Sequence, residues 1–242
     1  MRNFLLGSVA VAAMALPLTA QAGFISEDFS SQSGVAQFSF PVFGTGTVTR
    51  GTDGNKGSGL SIFDSTATSG PDGDLRPSTA GLTSTFGNLL VLQEQNTPLA
   101  DDDAQGGILN FILPSALSLH SMTFLDIEGG ESIVFRDGAD ATGSVLGTVN
   151  GSAGETSNTF QSAAVVTIDF ITGSISNASG TIDTAAFSGL TEFSIDLRNT
   201  PSTGISEISA VPLPGALVLF GAGAAVVGLV ARRRRQPEAA AT

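Results

Sequence analysis

The stretch "TEFSIDLR", Thr191–Arg198, decides the fold. Phe193, Ile195 and Leu197 alternate with Ser194, Asp196 and Arg198. Successive side chains of an extended chain point to opposite faces, so this spacing predicts a strand with one apolar face and one wet face. Outward from it the same texture recurs. "AQFSF", "GTVTR", "LSIFDS", "NLLVLQE", "GGILNFIL", "SMTFLDIE", "SIVFRD", "SVLGTVN", "AAVVTIDF" and "SGTIDT" are short runs rich in β-branched and aromatic residues. Breakers such as "GTDGNKGSG", "SGPDGD", "EGGE" and "RDGADATG" divide them. No segment between them carries a sustained 3.6-residue apolar stripe. Strands spaced this way without helices predict an all-β fold, an antiparallel β-sandwich of jelly-roll type. No fixed-period repeat occurs, which discounts a propeller or solenoid.

The chain must build its core without staples. It has no Cys, Trp or Tyr, but 16 Phe among its 242 residues. Disulfides are therefore excluded, and stability must come from packing or a bound metal. The body of about 190 residues is long enough to bury a core unaided. Charge narrows the partners. Arg2, Arg232 to Arg235 and Glu238 lie outside 23–210, which leaves 5 basic against 21 acidic residues there, a formal charge of −16. A surface this acidic repels nucleic acid.

Both ends read as non-globular. "MRNFLLGSVAVAAMALPLTAQA" has a basic start at Arg2, an apolar run from Phe4 to Leu18, and small residues Ala20 and Ala22 at the cleavage positions. That order predicts a secretory signal peptide over 1–22, cut after Ala22. At the other end, no charge occurs between Leu213 and Arg232, and the last proline before the arginines is Pro214. The 17 residues from Gly215 to Ala231 lie at the short end for a spanning helix. Arg232, Arg233, Arg234 and Arg235 act as a stop-transfer block kept cytoplasmic. The expected organisation is a β-sandwich over 23–207, a sorting segment with transmembrane helix over 208–235, and a short cytoplasmic tail over 236–242.

The motif "VPLPG", an apolar helix and "RRRR" in that order resemble the PEP-CTERM class of sorting signals, in the VPLPA variant. Val211, Pro212, Leu213 and Pro214 match the motif, while Gly215 stands where the variant has Ala. The resemblance implies an exported protein of a Gram-negative bacterium, cut by an exosortase-type enzyme and delivered to the cell surface or the exopolysaccharide matrix. Pro212 and Pro214 cannot continue a helix, which predicts an extended, accessible segment before the span. A permanent membrane anchor is the alternative reading of the same residues.

Chemistry is sparsely signalled. The only His is His120 in "LSLHSM", there is no Cys, and no Ser stands in G-x-S-x-G. This disfavours triad, thiol and common zinc chemistry. A carboxylate-based hydrolase is kept as the rival, since many acids place some near each other by chance. Oxygen-rich loops offer Asp64, Asp72 and Asp74 in "IFDSTATSGPDGDL", Asp101 to Asp103 in "QNTPLADDDAQGG", and Asp126, Glu128 and Glu131 in "FLDIEGGE". Calcium is the candidate cation for such ligands, and polar turn residues are the competing reading. The order of these elements resembles a β-sandwich domain found ahead of PEP-CTERM tails, with Asp64, Asp72, Asp74, Glu94, Asp102 and Asp126 on matching positions. "GISEIS", with Glu207, is expected to be the closing strand beside the first, "SEDFS". The function expected is non-enzymatic: structural, adhesive or exopolysaccharide-associated. The missing Trp and Tyr weigh against the usual stacking subsite for sugars.

Overall fold

A computed structural model describes residues 24–29, 35–36, 38–40, 43–49, 59–68, 72–81, 86–93, 106–152, 160–200 and 203–212. The expected signal peptide, the tail from Leu213 onward, Glu94 and Asp101 to Asp103 lie outside them. Contact density marks Ala22–Leu213 as a compact unit. Among the described residues no helix is long and apolar enough to cross a membrane.

Fourteen strands are described: β1 (Ile25–Glu27), β2 (Val35–Ala36), β3 (Phe38–Phe40), β4 (Gly44–Thr49), β5 (Gly59–Asp64), β6 (Asn88–Gln93) and β7 (Ile108–Leu125). They continue with β8 (Ser132–Asp137), β9 (Val145–Gly151), β10 (Val166–Asp169), β11 (Ser174–Ile175), β12 (Ala178–Ile182), β13 (Leu190–Asn199) and β14 (Gly204–Pro212). Among the described residues the strands pair antiparallel throughout. The long strand β7 belongs to two layers. Its first part, Ile108 to Ile112, lies between β4 and β13, and the layer continues through β8 and β9 to β12. Its last part, Ser121 to Phe124, lies between β10 and β14, and that layer continues through β6 and β5 to β2.

The runs "GGILNFIL" and "SMTFLDIE", which read as two strands, are thus one strand through Pro114. Proline cannot donate to a ladder, so it is tolerated only at edges or irregularities. Pro114 sits where the β7–β13 register shifts, between the pairs Glu192–Ile112 and Leu190–Leu117. The break in pairing is where the chain leaves one layer for the other, as strands do at sandwich corners.

The two layers enclose one core. Phe135 of β8 meets Phe124 of β7 edge-on at 6.1 Å, and also Phe170 at 5.3 Å and Phe187 at 5.7 Å. Phe111 stacks on Phe193 at 4.7 Å. Phenylalanine brings no hydroxyl or indole N–H that must find a partner, so an all-Phe aromatic core carries no polar obligation. The uninterrupted apolar run of β6 has a separate cause. Leu90 and Leu92 face the main core, while Leu89 and Val91 join Phe63, Leu75, Leu125 and Phe160 in a second cluster. A strand buried on both faces has no reason to alternate.

The first and last strands meet. Ile25, Ser26 and Glu27 pair with Ala210, Ser209 and Ile208. This is the closure expected from "SEDFS" and "GISEIS". Beyond β1, Phe29 adopts φ +57 with its ring fully buried; its N–H donates to Glu27 Oε1 at 3.0 Å, and its carbonyl accepts from Asn88. Burial pushes the Glu27 carboxyl above its ordinary value of 4.5, with neighbouring Asp28 adding to the rise and the Phe29 N–H opposing it. The folded chain therefore holds this proton more tightly than the unfolded chain. The penalty of charging Glu27 is absent below about pH 4.5 and is fully present once pH has risen through the raised folded pKa. Glu27→Gln keeps the acceptor for Phe29. It should raise the Tm at pH 7 and give no gain below pH 4.5, as thermal melts across pH would show.

Candidate functional site

β13 has its apolar face inward, as its alternation predicts, with Phe193, Ile195 and Leu197 at most 1% exposed. Its other face is not wet. Ser194 is 0% exposed and Asp196 7%. The connection between β8 and β9 reaches this face. Directly opposed residues of paired strands share a face, so Thr47, Asn110, Ser194 and Arg136 form one row across β4, β7, β13 and β8. The β8–β9 loop, residues 138–143, reaches back to this row. The backbone N–H of Asp140 donates to Asn110 Oδ1 at 2.8 Å, and Asn110 Nδ2 donates to Asp140 Oδ1 at 3.2 Å. Arg136 Nη1 donates to the Gly143 carbonyl.

This cover is made at a cost. Asp140 and Ala141 take φ +59 and +53, a region that residues with a Cβ adopt reluctantly. Ser194 Oγ and Arg136 Nε are buried with no hydrogen-bond partner. Each such orphan costs about 1–3 kcal/mol relative to its hydrated state. Polar groups are covered here without their hydrogen-bonding capacity being met, unlike the apolar groups of the core.

Beside the row, Asp196 is held by Arg198 through two bonds, Nε to Oδ1 at 2.8 Å and Nη2 to Oδ2 at 2.6 Å. Burial alone would raise the Asp196 carboxyl. The Arg198 side chain and backbone bonds, with the positive charges of Arg198 and Arg136, outweigh it and hold the carboxyl below its ordinary value. Asp196 therefore stays charged in this face, an acceptor next to the donors of Asn110 and Arg136.

The residues singled out as cation ligands fall elsewhere. Asp64 ends β5 and accepts from the Thr66 N–H and hydroxyl, an ordinary turn contact. Asp72, at φ +52, and Asp74, which accepts from the Leu75 N–H, lie in the segment that delivers Leu75 to the second cluster. Asp126 follows β7 at φ +65 and is 6% exposed. Glu131 accepts from the Glu128 N–H, and Gln161 donates to the Glu128 carboxylate. Among the described residues no three His, Asp or Glu side chains form a group that could hold a metal ion. Asp102 lies outside those residues.

His120 occupies the outer side of a bulge in β7. Its Nδ1 is 3.1 Å from Ser209 Oγ, and its ring lies 4.4 Å from that of Phe24. Asp169 comes from the adjacent β10, yet its Oδ1 accepts from the Ile171 and Thr172 N–H groups. The Thr172 backbone bond is the main reason its carboxyl lies below the ordinary value. The His–Ser–Asp grouping thus lacks the His–carboxylate bond that orients a general base.

Sequence reasoning did not find Asn110, Arg136, Asp140 and Ser194. They come from three strands and a loop, and only pairing register unites them. One signal was present: Asn110 interrupts the apolar run "ILNFIL", and a polar residue inside a buried strand needs a partner.

No protein-family model matches the chain, and no curated protein matches it. Among solved structures, the chain is similar to the carbohydrate binding module CBM6cm-2 of lichenase 5A from Cellvibrio mixtus, in complex with cellotriose. The identity is 18% and the TM-score 0.31, over 71% of this chain and 98% of that one. A likeness of this size assigns the chain neither to a family nor to a ligand.

Proposed function

We propose that the chain is an exported, non-enzymatic surface or matrix protein, carried out by an N-terminal signal peptide and delivered by a C-terminal sorting tail of the PEP-CTERM type. The supporting observation is the extent of the body. The compact unit Ala22–Leu213 begins at the expected cleavage residue and closes inside the motif Val211 to Pro214. The first and last strands pair at Ile25–Ala210, which supports a reading in which both expected processing points border one strand pair. Val211 and Pro212 belong to β14, opposite Ser118 and Leu117, while Leu213 and Pro214 lie outside the described residues. An exosortase-type enzyme is the proposed processing partner, and the membrane holds the precursor through the tail helix. The sandwich is read as jelly-roll-like, and polysaccharide is its proposed partner at the surface.

Fractionation tests delivery. Replacing Arg232 to Arg235 by Ser, or Pro212 and Pro214 by Ala, should retain the protein in the inner-membrane fraction or lose it to degradation. Wild-type distribution in both variants would sink the sorting reading. Calcium at Asp64, Asp72, Asp74, Asp102 and Asp126 remains part of the proposal, supported by the acidic, disulfide-free body. Complete chelation should lower the Tm by several degrees, and an unchanged melt would count against a stabilising ion.

A further inference from the structure

We infer that the β8–β9 loop is a built-in plug over a binding site for neutral polysaccharide, formed by Asn110, Ser194, Arg136 and Asp196 on the outer face of the β4–β7–β13–β8 layer. The inference rests on the polysaccharide partnership proposed above and names its site. Ser194 Oγ and Arg136 Nε, in the row that the loop reaches, are buried without partners. The loop reaches its closed position only with two non-glycine residues at positive φ, and the Asp140 backbone and carboxylate bond the two ends of the Asn110 amide. Asp140 thus occupies hydrogen-bonding groups that an incoming hydroxyl would use. Displacing the loop breaks the two Asp140–Asn110 bonds and makes accessible one hydroxyl and one guanidinium N–H that the closed state leaves unmet.

The ligand class follows from the chemistry of the row. Donors on Arg136 and Asn110 alternate with acceptors on Asn110, Ser194 and Asp196, which matches hydroxyls that both donate and accept. The side chains stand on neighbouring strands at intervals of about 4.8 Å, close to the length of one pyranose ring. A polyanion is disfavoured by the body's formal charge of −16, so the polymer is neutral. The absent Trp and Tyr suit a site that grips by hydrogen bonds rather than by stacking.

Two variants test plug and site separately. Asp140→Pro removes the N–H that bonds Asn110 and cannot take φ +59, so it excludes the closed loop and leaves Asn110, Ser194 and Arg136 unchanged. Ser194→Ala deletes the orphan hydroxyl. The full chain in mild detergent is titrated with galactomannan and dextran, with alginate as the anionic control. Asp140→Pro should bind a neutral polymer at least threefold more tightly than wild type. Ser194→Ala should bind at least tenfold more weakly while its Tm stays level or rises, a combination that a merely structural serine would not produce. Wild-type binding with Ser194→Ala unaffected, or with Asp140→Pro no tighter, overturns the site but leaves the polysaccharide partnership standing. Binding of alginate as strong as that of the neutral polymers overturns the ligand class. No retention of either neutral polymer by wild type or by Asp140→Pro overturns both.

Discussion

Phe135→Ala should destabilise the body by about 3–5 kcal/mol, the range for removing a fully buried aromatic side chain. The ring is 0% exposed and touches three others, Phe124, Phe170 and Phe187. Phe124 belongs to the opposite layer, so truncation opens a cavity where the two layers meet. Phe124 stands on a strand paired on both sides, which limits collapse on that wall and places the cost toward the upper end. In urea the midpoint should fall with little change in slope, because the surface exposed on unfolding is nearly the same. A loss below about 1 kcal/mol would mean that the layers do not share this core.

Gly143→Ala is the second large effect, and it acts through the backbone. A Cβ at Gly143 would lie 1.1 Å from the Asp137 carbonyl oxygen, an impossible contact with main chain on both sides. The β8–β9 turn is closed there by the Asp137 N–H donating to Ser144 O at 2.9 Å, so the turn must open and that bond must be lost. The expected cost is about 2–3 kcal/mol, in line with forced overpacking plus a broken backbone bond. The opened turn also takes Gly143 away from Arg136 and withdraws the loop from Asn110. Gly143→Ala should therefore bind neutral polysaccharide more tightly than wild type although it is less stable. Denaturation and titration on the same preparation check both. Unchanged stability would show that the tight approach at Gly143 is not a property of the protein in solution.

The fold was legible because its strands carry their own punctuation. "SIVFRD" is β8 to the residue, and "TEFSIDLR" falls within β13. The pairing of the first strand with the last could also be read, since both ends of the body carry compatible short runs. The reading failed where tertiary structure decides. Pro114 looked like a boundary but sits in a register shift inside β7. Ser194 and Asp196 looked wet because alternation reports which face a residue takes, not what covers that face. The loop that reaches this face is "GADATG", which reads only as a turn, and nothing local shows that Asp140 reaches an asparagine two strands beyond β8. Residue type alone does not establish convergence of cation ligands: Asp64 and Asp74 each also accept a local backbone N–H, a contact the sequence does not announce.

The delivery proposal is tested most directly by the terminal peptides and intact mass of the protein recovered from the cell surface and the medium. The predicted result is a chain that begins at Gly23 and ends between Leu213 and Ala231, without the arginine block. A surface-recovered chain that still contains Arg232 to Arg235 would contradict removal of the tail and establish a permanent anchor in its place.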